Sequence, residues 1–420
     1  MIKNSLKTLQ EKYGNIERSN SNSLAKFMKR RRLELNRTLE DVSRGVCSPS
    51  YLSKIENCQV DVDPYYFQSL FEKLDLNYEN IKEDRQNFFF SKIVKYYLLK
   101  RYDLLENKLK EMVNGNSYCD TELELIVLLN NIINKNYAEA EKMIDKLEDI
   151  RNTLTKEEIY LLSFLITLYL YSTNQYVLAA EQIEILHKHP SDNVYYNIAV
   201  SDLGIDIYFA LGKESMFFKY YQYLKQCNNQ ELYNTRIIIH NIQVLVLQAR
   251  NGNVDVIEEL DVQLLAARNH QLDEDIVSYY EALVYYYLKD YFKVLEIIKK
   301  VGPNVKMLAL EGLVLNRINS FDKSVQFLNK LKTIDLSYHY DDVFGNYIEY
   351  IREKFEQYSY TKILAFLKTI VLPNVRSNFV FWLYEEEKQE YLKLCFELGK
   401  YKEAIRFMIK MGELCYLNKN

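Results

Sequence analysis

The sequence predicts an all-α protein in two parts, a compact N-terminal module of short helices followed by a long array of helical hairpins. Three observations predict it. Helix breakers are scarce, with eleven glycines and five prolines among 420 residues, where the two together usually make up about 12 per cent. Each proline fits a helix start or a gap: Pro49 and Pro64 suit first turns, and Pro190, Pro303 and Pro373 fall between apolar segments. One turn pattern then recurs from residue 100 to the C-terminus. With 48% hydrophobic residues and 37 tyrosines, a large core can be buried.

The elements follow in order. Residues 1–22 have mixed composition and suggest no task. Ser23 can cap a helix that carries Leu24, Phe27, Met28 and Leu35 on one side and Lys26, Lys29, Arg30, Arg31 and Arg32 on the other. Thr38 caps a second, short helix whose inward residues are Leu39, Val42 and Val46, and the Gly45-Val46-Cys47 turn ends it. Ser48 caps a third helix with Pro49 in its first turn, where a missing N–H costs nothing. Leu52 and Ile55 anchor that helix, leaving Ser50, Tyr51, Ser53 and Lys54 facing outward. Asp63-Pro64 opens a fourth helix with Phe67, Leu70, Phe71 and Leu74, and Asn77 to Phe90 is expected to connect the module to the array.

Residues 38–56 look like the two central helices of a helix-turn-helix DNA reader. Short polar side chains and one cation stand at the helix end that would enter a major groove. With the flanking helices they resemble a lambda-repressor-like (XRE) domain. Ser50, Tyr51 and Lys54 are the candidates for base contact, and Arg37, Thr38, Ser48 and Ser53 are better placed for phosphate. The blander reading of the same string is an ordinary hairpin with a solvated face. Charge placement favours the DNA reader: net charge is −4 overall, yet residues 22–58 carry eight Lys/Arg against four acids. A small basic module on an acidic body suits local phosphate contact.

Beyond residue 90 a polar pair or glycine, usually followed by an aromatic, precedes each amphipathic helix. The copies are Lys100-Arg-Tyr102, Lys135-Asn-Tyr137, Asn174-Gln-Tyr176, Gly212-Lys-Glu214, Gly252-Asn-Val254, Lys289-Asp-Tyr291, Asn319-Ser-Phe321, Tyr358-Ser-Tyr360 and Gly399-Lys-Tyr401, spaced by 30 to 41 residues. Small residues three positions on (Ala140, Ala179, Ser324, Ala404) allow close helix packing. Apolar ones seven positions on (Ile144, Ile183, Ile298, Leu328, Leu367, Met408) supply core. The pattern resembles the tetratricopeptide repeat (TPR), a helical pair of 34 or somewhat more residues, and generic hairpins of another solenoid type remain the alternative. Stacked pairs of either kind make a right-handed superhelix with a concave groove. TPR register puts Asp202, Asp206, Arg250, Tyr279, Tyr286, Tyr287, Asn316, Arg317 and Arg352 on the inner wall, with Asn241 at its border. Amides grip a peptide backbone by donating and accepting at once, and tyrosines add apolar area with a polar tip. For any one of these residues, repeat packing or a wetted surface explains it as well.

No catalytic, metal-binding or cofactor motif appears. The five histidines form no HExxH, the six cysteines form no CxxC, and no P-loop, dinucleotide fingerprint or GxSxG is present. His187-x-His189 reads as a solvated loop beside Pro190, and Glu385-Glu-Glu387 as a solvated face. The start Met1-Ile-Lys-Asn-Ser-Leu-Lys lacks the apolar core of a signal peptide. The longest apolar run, Tyr160 to Tyr171, is far short of the roughly 20 residues that span a bilayer, so a buried helix is expected there. A cytoplasmic protein with no membrane partner is the expectation.

Architecture and motif together resemble one family, the Rgg/PlcR/NprR group of peptide-pheromone-responsive regulators. The likeness is sharpest at Val46-Cys47-x-x-Ser50-x-Leu52-Ser53-Lys54-Ile55-Glu56. It implies a homodimer that binds a double-stranded DNA operator through residues 23–76 and joins its protomers through residues 91–420. It also implies a short linear signalling peptide held in the concave groove, with residues 77–90 as connector. The resemblance does not carry named peptide contacts, so the groove residues rest on register alone. A rival from another class is a protein-sequestering adaptor, as in Rap-type relatives that hold a response regulator. Those relatives place a helical bundle where this chain has its DNA-reader-like segment.

Overall fold

A computed structural model describes residues 21–420 apart from 58, 61, 79–88, 115–119, 152–153, 155, 192, 227–229, 303, 320, 335–342, 357–358, 373–379 and 418–420. All described regular structure is helical. Residues 1–20 and most of the expected connector lie outside the described residues. The chain divides into two compact units, one of residues 1–172 with 178–203, the other of 173–177 with 204–420.

The first unit opens with α1 (Ser21–Glu34), α2 (Leu39–Ser43), α3 (Pro49–Glu56) and α4 (Pro64–Lys73). Helix α1 begins at Ser21, so Ser23 sits in its first turn and not at its cap. The other caps form as their side-chain chemistry dictates. Thr38 and Asp41 build a capping box on α2, Ser48 accepts from the Tyr51 N–H, and Asp63 accepts from the Tyr65 N–H. Leu24, Phe27, Met28, Val42, Leu52, Ile55, Phe67, Leu70, Phe71 and Leu74 close into one core, which Leu76 and Tyr78 complete.

The basic face of α1 differs from expectation. Arg30 and Arg32 are buried. Arg32 makes a two-pronged bond to the buried Glu56 carboxylate, at 2.6 and 2.8 Å, and also donates to the Arg37 carbonyl at 2.9 Å. Lys26 donates to the Leu154 carbonyl at 2.6 Å, fastening α1 to the segment just ahead of a later helix of the same unit. Arg32 and Lys26 fasten α1 in place because each finds an oxygen acceptor on a neighbouring element, while Arg30 pairs with Glu34 one turn on in its own helix.

Helices α5 (Phe89–Leu98), α6 (Tyr102–Asn114), α7 (Asp120–Ile133), α8 (Tyr137–Asp149) and α9 (Lys156–Ser172) continue the unit, with the greater parts of α10 (Tyr176–Lys188) and α11 (Val194–Ala210). The long apolar run is buried within α9. Its two hydroxyls are answered inside the helix: Ser163 donates to the Ile159 carbonyl at 2.6 Å and Thr167 to that of Ser163 at 2.8 Å. His187 lies in the last turn of α10, not in a loop.

The second unit holds α12 (Glu214–Gln226), α13 (Gln230–Arg250), α14 (Val256–Asn269), α15 (Glu274–Tyr287), α16 (Tyr291–Val301), α17 (Val305–Ile318), α18 (Phe321–Leu331), α19 (Val343–Phe355), α20 (Tyr360–Phe366, continuing as a π turn to Val371), α21 (Phe381–Glu397) and α22 (Tyr401–Leu417).

The recurring turn has one geometry. Its first residue takes positive φ: Lys100 and Lys135 in the first unit, and Asn174, Gly212, Gly252, Lys289, Asn319 and Gly399 in the second. In six turns the following N–H reaches back to a carbonyl five residues earlier, as Arg101 to Tyr96 at 2.9 Å and Lys400 to Cys395 at 2.8 Å. That is a Schellman closure, which ends one helix and aims the chain into the next. The next helix starts at the third residue of the pattern, an aromatic in most copies and Glu214 after Gly212, except after Gly252, where α14 begins at Val256. The Tyr358 copy falls partly outside the described residues. Of the small and apolar positions, Ala140, Ala179, Ala404, Ile144, Ile183, Ile298 and Leu367 are buried. Met408 is 41% exposed, because no described helix follows α22 to cover it.

Candidate functional site

One candidate surface lies in the first unit, on α2 and α3. Ser48, Pro49, Ser50 and Lys54 are exposed, while Tyr51 and Ser53 are half-buried. The Tyr51 ring meets Tyr66 edge-on at 5.6 Å and so braces α3 against α4. From beneath, the Arg32–Glu56 pair fixes the C-terminal end of α3. Thr38 is committed to its cap, donating to the Asp41 carboxylate at 2.6 Å and accepting from the Asp41 N–H at 3.2 Å. The Thr38 hydroxyl and then its backbone N–H, both donating to the carboxylate, hold the Asp41 carboxyl below its ordinary range. Arg37 donates to the Lys73 carbonyl and to Asp75 at 3.0 Å. Ser50 and Lys54 are thus the side chains best exposed to meet another molecule. An anchored helix presenting its polar N-terminal end can read an edge of a groove.

The other candidate surface lies in the second unit, and a helix of the chain itself occupies it. Helix α21 runs along side chains from five others. Phe381 stacks flat on Tyr287, with ring centroids 6.2 Å apart, meets Phe209 edge-on at 5.5 Å, and lies 4.9 Å beneath the Arg250 guanidinium. The approach is so close that a Cβ on Gly212 would come within 2.7 Å of Phe381. Trp382 is buried and its indole N–H donates to the Tyr279 hydroxyl at 2.8 Å. Glu385 accepts from Arg250 at 3.0 Å and from Tyr287 at 3.2 Å. Glu386 accepts from Tyr286 at 2.5 Å and from Arg317. Glu390 accepts from Lys354 at 2.5 Å. Burial, with the adjacent carboxylates, pushes the Tyr286 and Tyr287 hydroxyls well above their ordinary range, so both are donors at neutral pH.

The structure therefore brings Arg250, Tyr279, Tyr286, Tyr287 and Arg317 onto one surface, beneath α21. Asn316 joins Arg317 in the wall of a neighbouring cavity. Asp206 accepts from the Gln243 amide at 2.7 Å, and that amide also donates to Tyr280 at 2.8 Å. Asn241 has both ends of its amide taken, by Tyr221 of α12 at 2.6 Å and Gln263 of α14 at 3.1 Å. Arg352 pairs with Glu349 one turn back on its own helix, and Asp202 is buried in the first unit.

Glu385-Glu-Glu387 is the clearest departure from the sequence reading. It faces the hairpins and not solvent, and Glu387 is fully buried. A usable signal stood beside it, since the chain's single tryptophan and its aromatic neighbours immediately precede the acids. Among the described residues no helix is long and apolar enough to cross a membrane, and no group of metal-ligating side chains clusters.

No family model matches the chain, and no curated protein matches it. Among solved structures the chain is similar to Bacillus thuringiensis PlcR in complex with the peptide PapR7 and DNA, at 15% sequence identity and a TM-score of 0.23, over 91% of this chain and 98% of that one.

Proposed function

We propose that the protein is a cytoplasmic, homodimeric transcription regulator whose grip on a double-stranded DNA operator is set by a short linear peptide. The observation that carries this reading is α3, a capped helix with a polar, exposed N-terminal end on a packed four-helix core. In this reading residues 23–76 meet DNA, residues 77–90 connect, and residues 91–420 take the peptide and join two protomers. Ser50, Tyr51 and Lys54 meet bases; Arg37, Thr38, Ser48 and Ser53 meet phosphates. The peptide draws on the surface formed by Arg250, Tyr279, Tyr286, Asn316 and Arg317, with Asp206, Asn241 and Arg352 as further contacts. Since α21 covers part of that surface, the peptide acts by favouring an arrangement in which α21 gives way. It can shift the balance only by its differential affinity for the two arrangements.

The test uses a duplex selected from a random pool by the wild-type protein. Replacing Ser50 and Lys54 with alanine should reduce preference for that duplex over random DNA by about 10- to 100-fold at fixed salt. Helicity and oligomeric state should not change. An unaltered preference in a mobility-shift titration would refute the DNA-reading assignment. Trp382 gives the peptide arm its own readout, because a ligand that displaces α21 exposes the indole and red-shifts its emission.

For the dimer, the exposed apolar residues Tyr401, Ile405, Met408 and Ile409 of α22 are the surface a second copy would bury. Glutamate at both 405 and 409 should give a monomer by sedimentation equilibrium. A variant that still dimerises moves the interface elsewhere.

A further inference from the structure

A cavity of about 610 Å³ opens in the second unit among α17, α19 and α21, walled in part by Asn316, Arg317, Tyr350, Lys354 and Glu387. The other acids in the first three turns of α21 are answered one by one, Glu385 by Arg250, Glu386 by Arg317 and Tyr286, Glu390 by Lys354. Glu387 is the exception. It is 1% exposed, and neither carboxylate oxygen has a hydrogen-bond partner. The Tyr350 hydroxyl, in the same wall, is buried and likewise unanswered. Both oxygen groups line one cavity, and a buried polar group is stabilised by a partner because it has given up its hydration.

We propose that this cavity is a binding site for an organic cation, an ammonium or guanidinium group, with Glu387 as its counter-ion and the Tyr350 hydroxyl as a second acceptor. The chemistry follows from what is missing. A cation of this type brings N–H donors and no acceptors, and both orphaned groups can accept. A purely apolar ligand leaves both groups unanswered. Among the described residues no group of His, Cys, Asp or Glu side chains clusters to hold a metal ion. The rings of Tyr347 and Tyr350, 5.9 Å apart and both in the wall, add aromatic faces that favour a cation. Glu387 is a residue of the cavity wall, on the helix that closes one side of it. Burial alone pushes its carboxyl well above the ordinary range, and a paired cation restores the charged form.

The cation can belong to the peptide, as its α-amine, a lysine or an arginine, or to a free polyamine. Only the first source rests on the peptide-regulator reading. The test titrates wild type, Glu387→Gln and Tyr350→Phe by calorimetry with three probes: spermidine, a pool of free-amine heptapeptides with one lysine or arginine, and the same pool with every amine acetylated and every arginine replaced by citrulline. Glu387→Gln removes the buried charge and keeps the shape, so it should melt no lower than wild type. That checks folding independently of binding.

A preference of wild type for the free-amine pool over the blocked one, lost by about 30-fold or more in Glu387→Gln, supports the site and its peptide source. Spermidine binding that needs Glu387, with no peptide bound, supports the site and overturns the peptide reading. Peptides that bind wild type and Glu387→Gln alike, blocked or not, overturn the site and leave the peptide reading standing. If none of the probes binds wild type, both fall.

Discussion

Replacing Trp382 with alanine should cost the second unit about 3–5 kcal/mol and release α21 from the hairpins it lies on. The side chain is 1% exposed, with Phe344 at 6.0 Å and Tyr279 at 6.4 Å between ring centroids. Its loss leaves a large cavity and takes from the buried Tyr279 hydroxyl the donor it accepts from. Denaturant unfolding would measure the cost, and amide exchange along α21 would localise it. Trp382→Phe is the control. It keeps a ring in place and loses the N–H bond and part of the volume, so its cost should be well under half. A shift below about 1 kcal/mol for the alanine variant would mean that α21 is not anchored there, since a change that small is typical of surface substitutions. The consequence for function is direct, because the same residue holds shut the surface proposed for the peptide.

Arg32→Ala should be nearly as severe in the first unit, at about 3–5 kcal/mol. Its guanidinium meets Glu56 where the two side chains are 10% and 2% exposed. Removing the cation leaves the Glu56 carboxylate buried without its counter-charge. Circular dichroism and amide exchange over α1 to α4 should show the four-helix module loosening first. The physical cause can be isolated with a double replacement, Arg32→Met with Glu56→Leu, which removes both charges and fills the space. It should recover most of the loss, because a buried ion pair replaced by apolar side chains is often neutral. If the double variant is as unstable as the single one, the pair contributes through geometry that apolar packing cannot mimic. A loss below about 1 kcal/mol for Arg32→Ala would place the pair with surface salt bridges.

Two charged residues, Arg32 and Glu387, stand in surroundings that sequence reading described differently. Arg32 stood in a run of basic residues that looked like an electrostatic face for DNA, and Glu387 in a run of acids that looked solvated. Runs of like charge are easy to see and hard to interpret. Whether a charged side chain is wetted or buried depends on which oppositely charged group arrives from elsewhere in the chain. TPR register put Arg250, Tyr279, Tyr286 and Arg317 among the residues of an inner wall, and each of these four side chains bonds to α21. Register is a property of helix geometry and repeat length, both of which the sequence carries. What register could not supply was the occupant: the helix that covers these residues is of the same chain.

Most helix starts, and the places where the hairpins turn, are legible in the sequence. Those features are written in short-range chemistry, the caps at Thr38, Ser48 and Asp63 and the residues at positive φ from Lys100 to Gly399. Each such bond spans only a few residues, so the pattern around it suffices. Only the tertiary structure decided which charges are spent inside the molecule. Arg32 meets Glu56 across 24 residues, Tyr286 meets Glu386 across 100, and Arg250 meets Glu385 across 135. Partners that far apart are brought together by packing of the apolar core, and no local string of residues records them.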